Sequence, residues 1–130
     1  MADFISIIGQ KKSLHSIQGA SSEDITKAEE ALGLKFAKDY ADYLKKYGVV
    51  SFFGHELTGI CSASRLNVIN VTNELRQYTQ DIPNDLYVVE ETNYDGLVVW
   101  QDNSGAVYET IPGSDIKKVA SGLAEYYQNS

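Results

Sequence analysis

The sequence predicts a single α+β domain over residues 1–130, in which an antiparallel meander is flanked by an N-terminal helical hairpin and a C-terminal helix. Three observations carry this. Two helical stripes follow one another between Ser21 and Gly48. Three short β-rich runs, separated by turn residues, lie between Leu86 and Ile111. A chain of 130 residues, 43% of them hydrophobic, can bury one core and has no room for a second.

Taken in order, residues 3–17 offer Phe4, Ile5, Ile7, Ile8, Leu14 and Ile17 to a core on a short helix broken near Gly9. A firmer helix starts at Ser21 or Ser22, either of which can cap free amides, with Glu23 and Asp24 favoured by the dipole of the first turn. Ile25, Ala28 and Leu32 repeat at helical spacing, and Gly33 is placed to end the helix in a left-handed conformation. The next helix is expected from about Ala37 to Tyr47, because Phe36, Tyr40, Tyr43, Leu44 and Tyr47 share a stripe and Gly48 follows. Its tyrosines read as core, with their hydroxyls reaching the rim.

After Gly48 the pattern turns to short β pieces, Val49 to Phe53 and Leu66 to Val71, then a short helix from Asn73 to Tyr78. The meander follows: Leu86 to Val89, a turn at Asp95-Gly96, Leu97 to Trp100, a turn over residues 102–105, then Ala106 to Ile111. Strict alternation fails in its first two strands, so both are expected to be central and covered on two faces. Pro112-Gly113 ends the sheet in this reading. Ser114 then caps a last helix with Ile116, Val119, Ala120, Leu123 and either Tyr126 or Tyr127 buried.

Charge narrows the function. The chain carries 18 acids and 11 bases, a net of −7, which argues against nucleic acid or an anionic membrane surface as partner. Residues 1–48 are balanced, so the whole excess lies beyond them, and between Arg76 and Lys117 there are eight acids and no Lys or Arg. Apolar runs such as Leu97 to Trp100 fall far short of the ~20 residues that span a bilayer. Lys11 and Lys12 follow the first apolar stretch, the wrong order for a secretory signal, and the single Cys61 cannot form an internal disulfide. A cytoplasmic location is expected.

Catalytic chemistry finds little to work with. Only His15 and His55 supply imidazoles, and His55-Glu56 lacks the second histidine of a zinc motif because Gly59 stands there. Neither a metal nor another cofactor is expected. Cys61 sits between Gly59-Ile60 and Ser62-Ala63, which do not form a nucleophile turn, and it reads as buried filler.

What remains is the acidic and aromatic stretch itself: Asp81, Asp85, Tyr87, Glu90, Glu91, Tyr94, Asp95, Trp100, Asp102 and Glu109. Aromatic anchors with a polar handle, ringed by acids that steer a basic partner, make a protein-binding surface. The competing explanation gives Asp95 and Asp102 to turn geometry and Trp100 to the core. The absence of Lys and Arg over forty residues favours the binding surface, because a merely solvated face mixes signs.

The run Ile25 to Leu34, with Glu29 and Leu32-Gly33, continuing through Asp39-Tyr40 and Leu44 to Gly48, resembles the opening of the SUKH superfamily, which includes the Smi/Knr cell-wall regulators. Phe36-Ala37 replaces the usual Leu-Pro, Tyr43 stands where Phe is common, and Tyr47 replaces Asn. Phe52, Leu57 with Gly59, Asp95-Gly96, and Gly105 with Val107-Tyr108 also fit, so the resemblance covers residues 21–111 or more. It implies an immunity protein without catalysis, which binds and neutralises a cognate toxin. A basic nuclease-type C-terminal domain of an LXG-class polymorphic toxin is the implied partner. The alternative it leaves is a non-catalytic regulatory scaffold of cell-wall or signalling enzymes. No family motif assigns binding residues, so the ten above rest on charge alone.

Overall fold

The computed structural model describes residues 3–79, 81–92 and 94–128. Asp3 caps α1 (Phe4–Gly9) by accepting the Ser6 amide at 2.8 Å. Ser21 caps α2 (Ser22–Leu32) through Asp24 N–H, and Gly33, at φ 70°, closes it while the amides of Gly33 and Leu34 return to Glu30 and Glu29 carbonyls. The α3 helix (Lys38–Tyr47) buries Tyr40, Tyr43 and Leu44 completely. These three helices lie where the apolar stripes and capping residues place them, except that Leu14 and Ile17, expected to face the core from the first helical segment, lie beyond α1 and Ile17 is exposed. Tyr47 is half-buried, but the hydroxyls of Tyr40 and Tyr43 do not reach the rim. Both turn inward onto buried Thr58, Tyr40 to its Oγ1 and Tyr43 to its carbonyl.

Two antiparallel sheets follow. The smaller is β1 (His15–Ser16), β2 (Val50–Phe52) and β3 (His55–Glu56), with β2 in the middle. The larger runs in order β4 (Tyr87–Glu91), β5 (Val98–Gln101), β6 (Val107–Thr110) and β7 (Lys117–Ala120). An antiparallel bridge from Leu57 to Glu90 joins the two sheets edge to edge. The meander therefore has four strands, and Pro112-Gly113 is a turn within it. Gly113, at φ 83°, lets the chain double back so that Lys117 pairs with Glu109. Only α5 (Leu123–Tyr127) remains of the expected last helix.

The second correction concerns Leu66 to Val71. Asn67 caps α4 (Val68–Tyr78) through Ile69 N–H, so the expected strand and the expected short helix are one helix. It covers the sheet face opposite to α1, α3 and α5, with Val71 and Leu75 packed on Val88, Val98 and Trp100. On the other face Tyr87, Val89, Val99 and Val107 meet Phe4, Tyr40, Tyr43, Leu123 and Tyr127. The sheet is thus the middle of three layers, which explains why β4 and β5 are apolar on both faces. Of these two strands β5 is central; β4 is the sheet's first strand, screened by β3 and α4.

Candidate functional site

The structure divides nine of the ten acidic and aromatic residues into three groups and leaves Glu109 apart. Tyr87, Glu90 and Trp100 are interior and present no surface. Trp100 lies under α4 and donates its indole N–H to Thr110 Oγ1 at 2.9 Å. Tyr87 sits against Phe36 and Tyr40; its hydroxyl accepts Ala37 N–H and donates to Gln101 Oε1. Burial pushes the Tyr87 phenol well above its ordinary range.

Glu90 is interior for a geometric reason. In the β4–β5 pairing Val88 faces Trp100 and Glu90 faces Val99, so Val89 is an extra residue, a β-bulge. A bulge interrupts alternation and re-aims the side chain that follows. Val89 and Glu90 thereby both turn to the layer of α1, α3 and α5. There the Glu90 carboxylate accepts the Tyr127 hydroxyl at 2.7 Å and lies 3.0 Å from His55 Nδ1, leaving the imidazole one-third exposed. Tyr127 is held protonated, its phenol raised by burial and by the adjoining carboxylate.

Glu91, Tyr94 and Asp95 form a second group, exposed at the β4–β5 turn. Asp95 at φ 54° and Gly96 at φ 74° take the left-handed conformations of a tight hairpin turn, and Tyr94 is 75% exposed. Glu91 shares a shallow cleft with the Glu56–Arg65 ion pair.

Asp81, Asp85 and Asp102 make the third group, at the opposite end of β4. The strand between separates the two groups by roughly 15 Å at its rise per residue. Asp102 organises the β5–β6 turn. Burial would raise its carboxyl, but the hydroxyls of Ser104 and Tyr108 and the amides of Ser104 and Ala106 outweigh it and hold the group below the usual range. Glu109 stands apart, half-buried, accepting the Tyr126 hydroxyl at 2.5 Å and paired across the strands with Lys117. Lys117 and Lys118 thus border the stretch that lacks bases in sequence.

The sequence reading passed over two features. At the end of the sheet that carries Asp102, a cleft of about 380 Å³ is lined by Asp3, Asp39 and Asp42 together with Lys38 and Ser104. Both oxygens of Asp39 are already engaged, by Tyr40 N–H and Gln101 Nε2 on one side and by Leu123 N–H on the other. The second is the buried Glu90 with His55 and Tyr127, to which no spacing motif points because the bulge creates it. Cys61 is half-buried, not interior, and its thiol turns back to the Ala63 carbonyl.

Among the described residues no group of three or more His, Cys, Asp or Glu side chains could hold a metal ion, and no helix is long and apolar enough to cross a membrane. The geometry offers side chains for contact at the two ends of a doubly covered sheet. Residues 1–129 match the SUKH family model described as SMI1-KNR4 cell-wall, and the chain therefore belongs to this family, whose general role is protein–protein interaction.

Proposed function

We propose that this protein is an immunity protein that neutralises a secreted bacterial toxin by binding it, without chemistry of its own. In its overall sequence the chain is similar to the Bacillus antitoxin YobK, and the partner in this reading is the nuclease-type C-terminal domain of an LXG-class toxin. The observation that carries the reading is the stretch from Arg76 to Lys117, acidic and without internal bases, whose Glu91, Tyr94 and Asp95 stand exposed at one end of the sheet and Asp81 and Asp85 at the other. A nuclease cleft is basic because it binds phosphates, so such a surface competes for it by charge and by shape.

The test pairs growth rescue with calorimetry. Cells expressing the toxic domain encoded beside this gene should grow only when this chain is co-expressed, and the purified proteins should bind. Rescue without binding would overturn direct neutralisation. Charge steering adds a kinetic signature. Asp85→Lys, Glu91→Lys and Asp95→Asn together should slow association by about 10-fold or more at low salt, with dissociation and Tm nearly unchanged. Asparagine is chosen at 95 because it tolerates the left-handed backbone, and Glu90 is spared because reversing it would place an amine against the buried Tyr127 hydroxyl. Unchanged association would remove the acidic residues from the interface.

A further inference from the structure

Phe53 is at odds with its surroundings. It occupies the β2–β3 turn at φ 45°, followed by Gly54 at φ 82°, the backbone that Asn, Asp or Gly adopts with least strain. Its side chain is 60% exposed, so the ring gains little from burial. Neither backbone preference nor the core accounts for a phenylalanine at this position.

Strand register shows what lies beside it. The antiparallel bridge from Leu57 to Glu90 runs β3 along β4 in the opposite direction, so the Phe53-Gly54 turn opens at the same end as the β4–β5 turn. Val98 pairs with both Glu91 and Thr110, which brings the β6–β7 turn to that end too, and the Gly96 backbone lies against the Pro112 ring. Among the described residues six large hydrophobic side chains are exposed, and four of them, Phe53, Tyr94, Ile111 and Ile116, belong to these three turns. Isolated exposed apolar side chains are ordinary; apolar tips gathered from three separate turns mark an interaction site.

Charge identifies the occupant. Residues 53–54, 92–97 and 111–116 include Asp95 and Asp115 and no Lys or Arg, exposed Glu91 adjoins them, and the bases next to them already face carboxylates, Lys117 standing opposite Glu109 and Arg65 paired with Glu56. We infer that this end of the sheet docks a basic protein partner, with Phe53 and Tyr94 as anchors entering an apolar pocket and the carboxylates meeting its basic rim. The inference deepens the neutralisation reading, on which it rests for the choice of partner, and adds an anchor that lies outside the acidic stretch.

The test is calorimetric titration of the full chain and its variants with the toxic C-terminal domain encoded beside the gene, with Tm measured in parallel. Phe53→Asn should weaken binding by about 30-fold or more, as loss of an anchoring aromatic does, while Tm stays level or rises because asparagine suits the turn. Tyr78→Ser is the control: Tyr78 is as exposed as Tyr94 but ends α4, which runs back to the start of β4 through Arg76 and the Leu86 carbonyl, so its loss should leave binding unchanged. Wild-type affinity in a Phe53→Asn, Tyr94→Ser double variant would overturn the anchor assignment and leave neutralisation standing. Weakened binding together with a lowered Tm would overturn it as well, marking Phe53 as a folding residue. A wild-type chain that does not bind this domain would overturn neutralisation and the assignment together.

Discussion

Thr58 does more for this structure than its size suggests. Its hydroxyl donates to the Val88 carbonyl at 2.7 Å, so the same oxygen must accept from Tyr40, while its carbonyl accepts from Tyr43 and its amide donates to Val89. One buried threonine thereby ties α3 to β4 on four counts. Thr58→Val keeps the shape but leaves the buried Tyr40 hydroxyl without this acceptor and the Val88 carbonyl without this donor, and should cost about 1 to 3 kcal/mol in urea denaturation. Tyr40→Phe in the same background removes the unpaired hydroxyl, so the double variant should be more stable than the sum of the two single losses. Glu90 shows the limit of reading single residues. Its acidity and its place in a strand are plain in the sequence, but its direction depends on the Val89 bulge, which no local pattern announces. Tyr94 and Asp95, by contrast, are legible as exposed because Asp-Gly selects the turn that displays them.

At the level of elements, helices α1, α2 and α3 and strands β2, β4, β5 and β6 follow from caps, stripes and turns. Strands β1 and β3, two residues each, are too short to carry a pattern and are not among the expected elements. Two longer segments also depart from expectation, and each shows one force overriding another. Val68, Ile69, Val71 and Thr72 are β-branched and favour strand locally, yet Asn67 caps a helix there, and Thr72 Oγ1 accepts the Val88 amide that the bulged sheet leaves over. Ile116, Val119 and Ala120 fit helical spacing, but pairing with β6 takes Lys117–Ala120 into the sheet, and four residues are too few for periodicity to decide. The connection between β3 and α4 exposes a tighter constraint. Gly59 lies against the Gly48 backbone, where an added Cβ would stand 1.6 Å from the Gly48 carbonyl oxygen. Backbone on both sides leaves no room to yield, so Gly59→Ala should cost about 3 kcal/mol or more, seen as a lower urea midpoint without change in slope.

For the whole molecule, the four fully buried tyrosines set the alkaline limit. Burial raises the phenols of Tyr40, Tyr43, Tyr87 and Tyr127 above the ordinary value of 10. Above that pH the unfolded chain loses these protons and the native state keeps them, so stability is intact below pH 10 and falls as pH rises past it. Each contributes a slope of up to ~1.4 kcal/mol per pH unit, steep against a total of roughly 5 to 15 kcal/mol. The share of the tyrosinate absorbance that comes from these four should therefore rise in a step that coincides with loss of circular dichroism; a smooth titration of all nine tyrosines in a folded protein would contradict this. The helix α5 also gives the molecule an order of assembly. Tyr127 packs on Phe4 and Phe52, and Leu123 N–H docks on Asp39, so the last helix closes a groove built from the first half of the chain. At ribosomal speed roughly 4 to 15 s separate the synthesis of Phe52 from that of Tyr127. Until Tyr127 is made, Phe4 and Phe52 lack its ring as a partner, and a chaperone, or a second nascent copy, competes for them with α5.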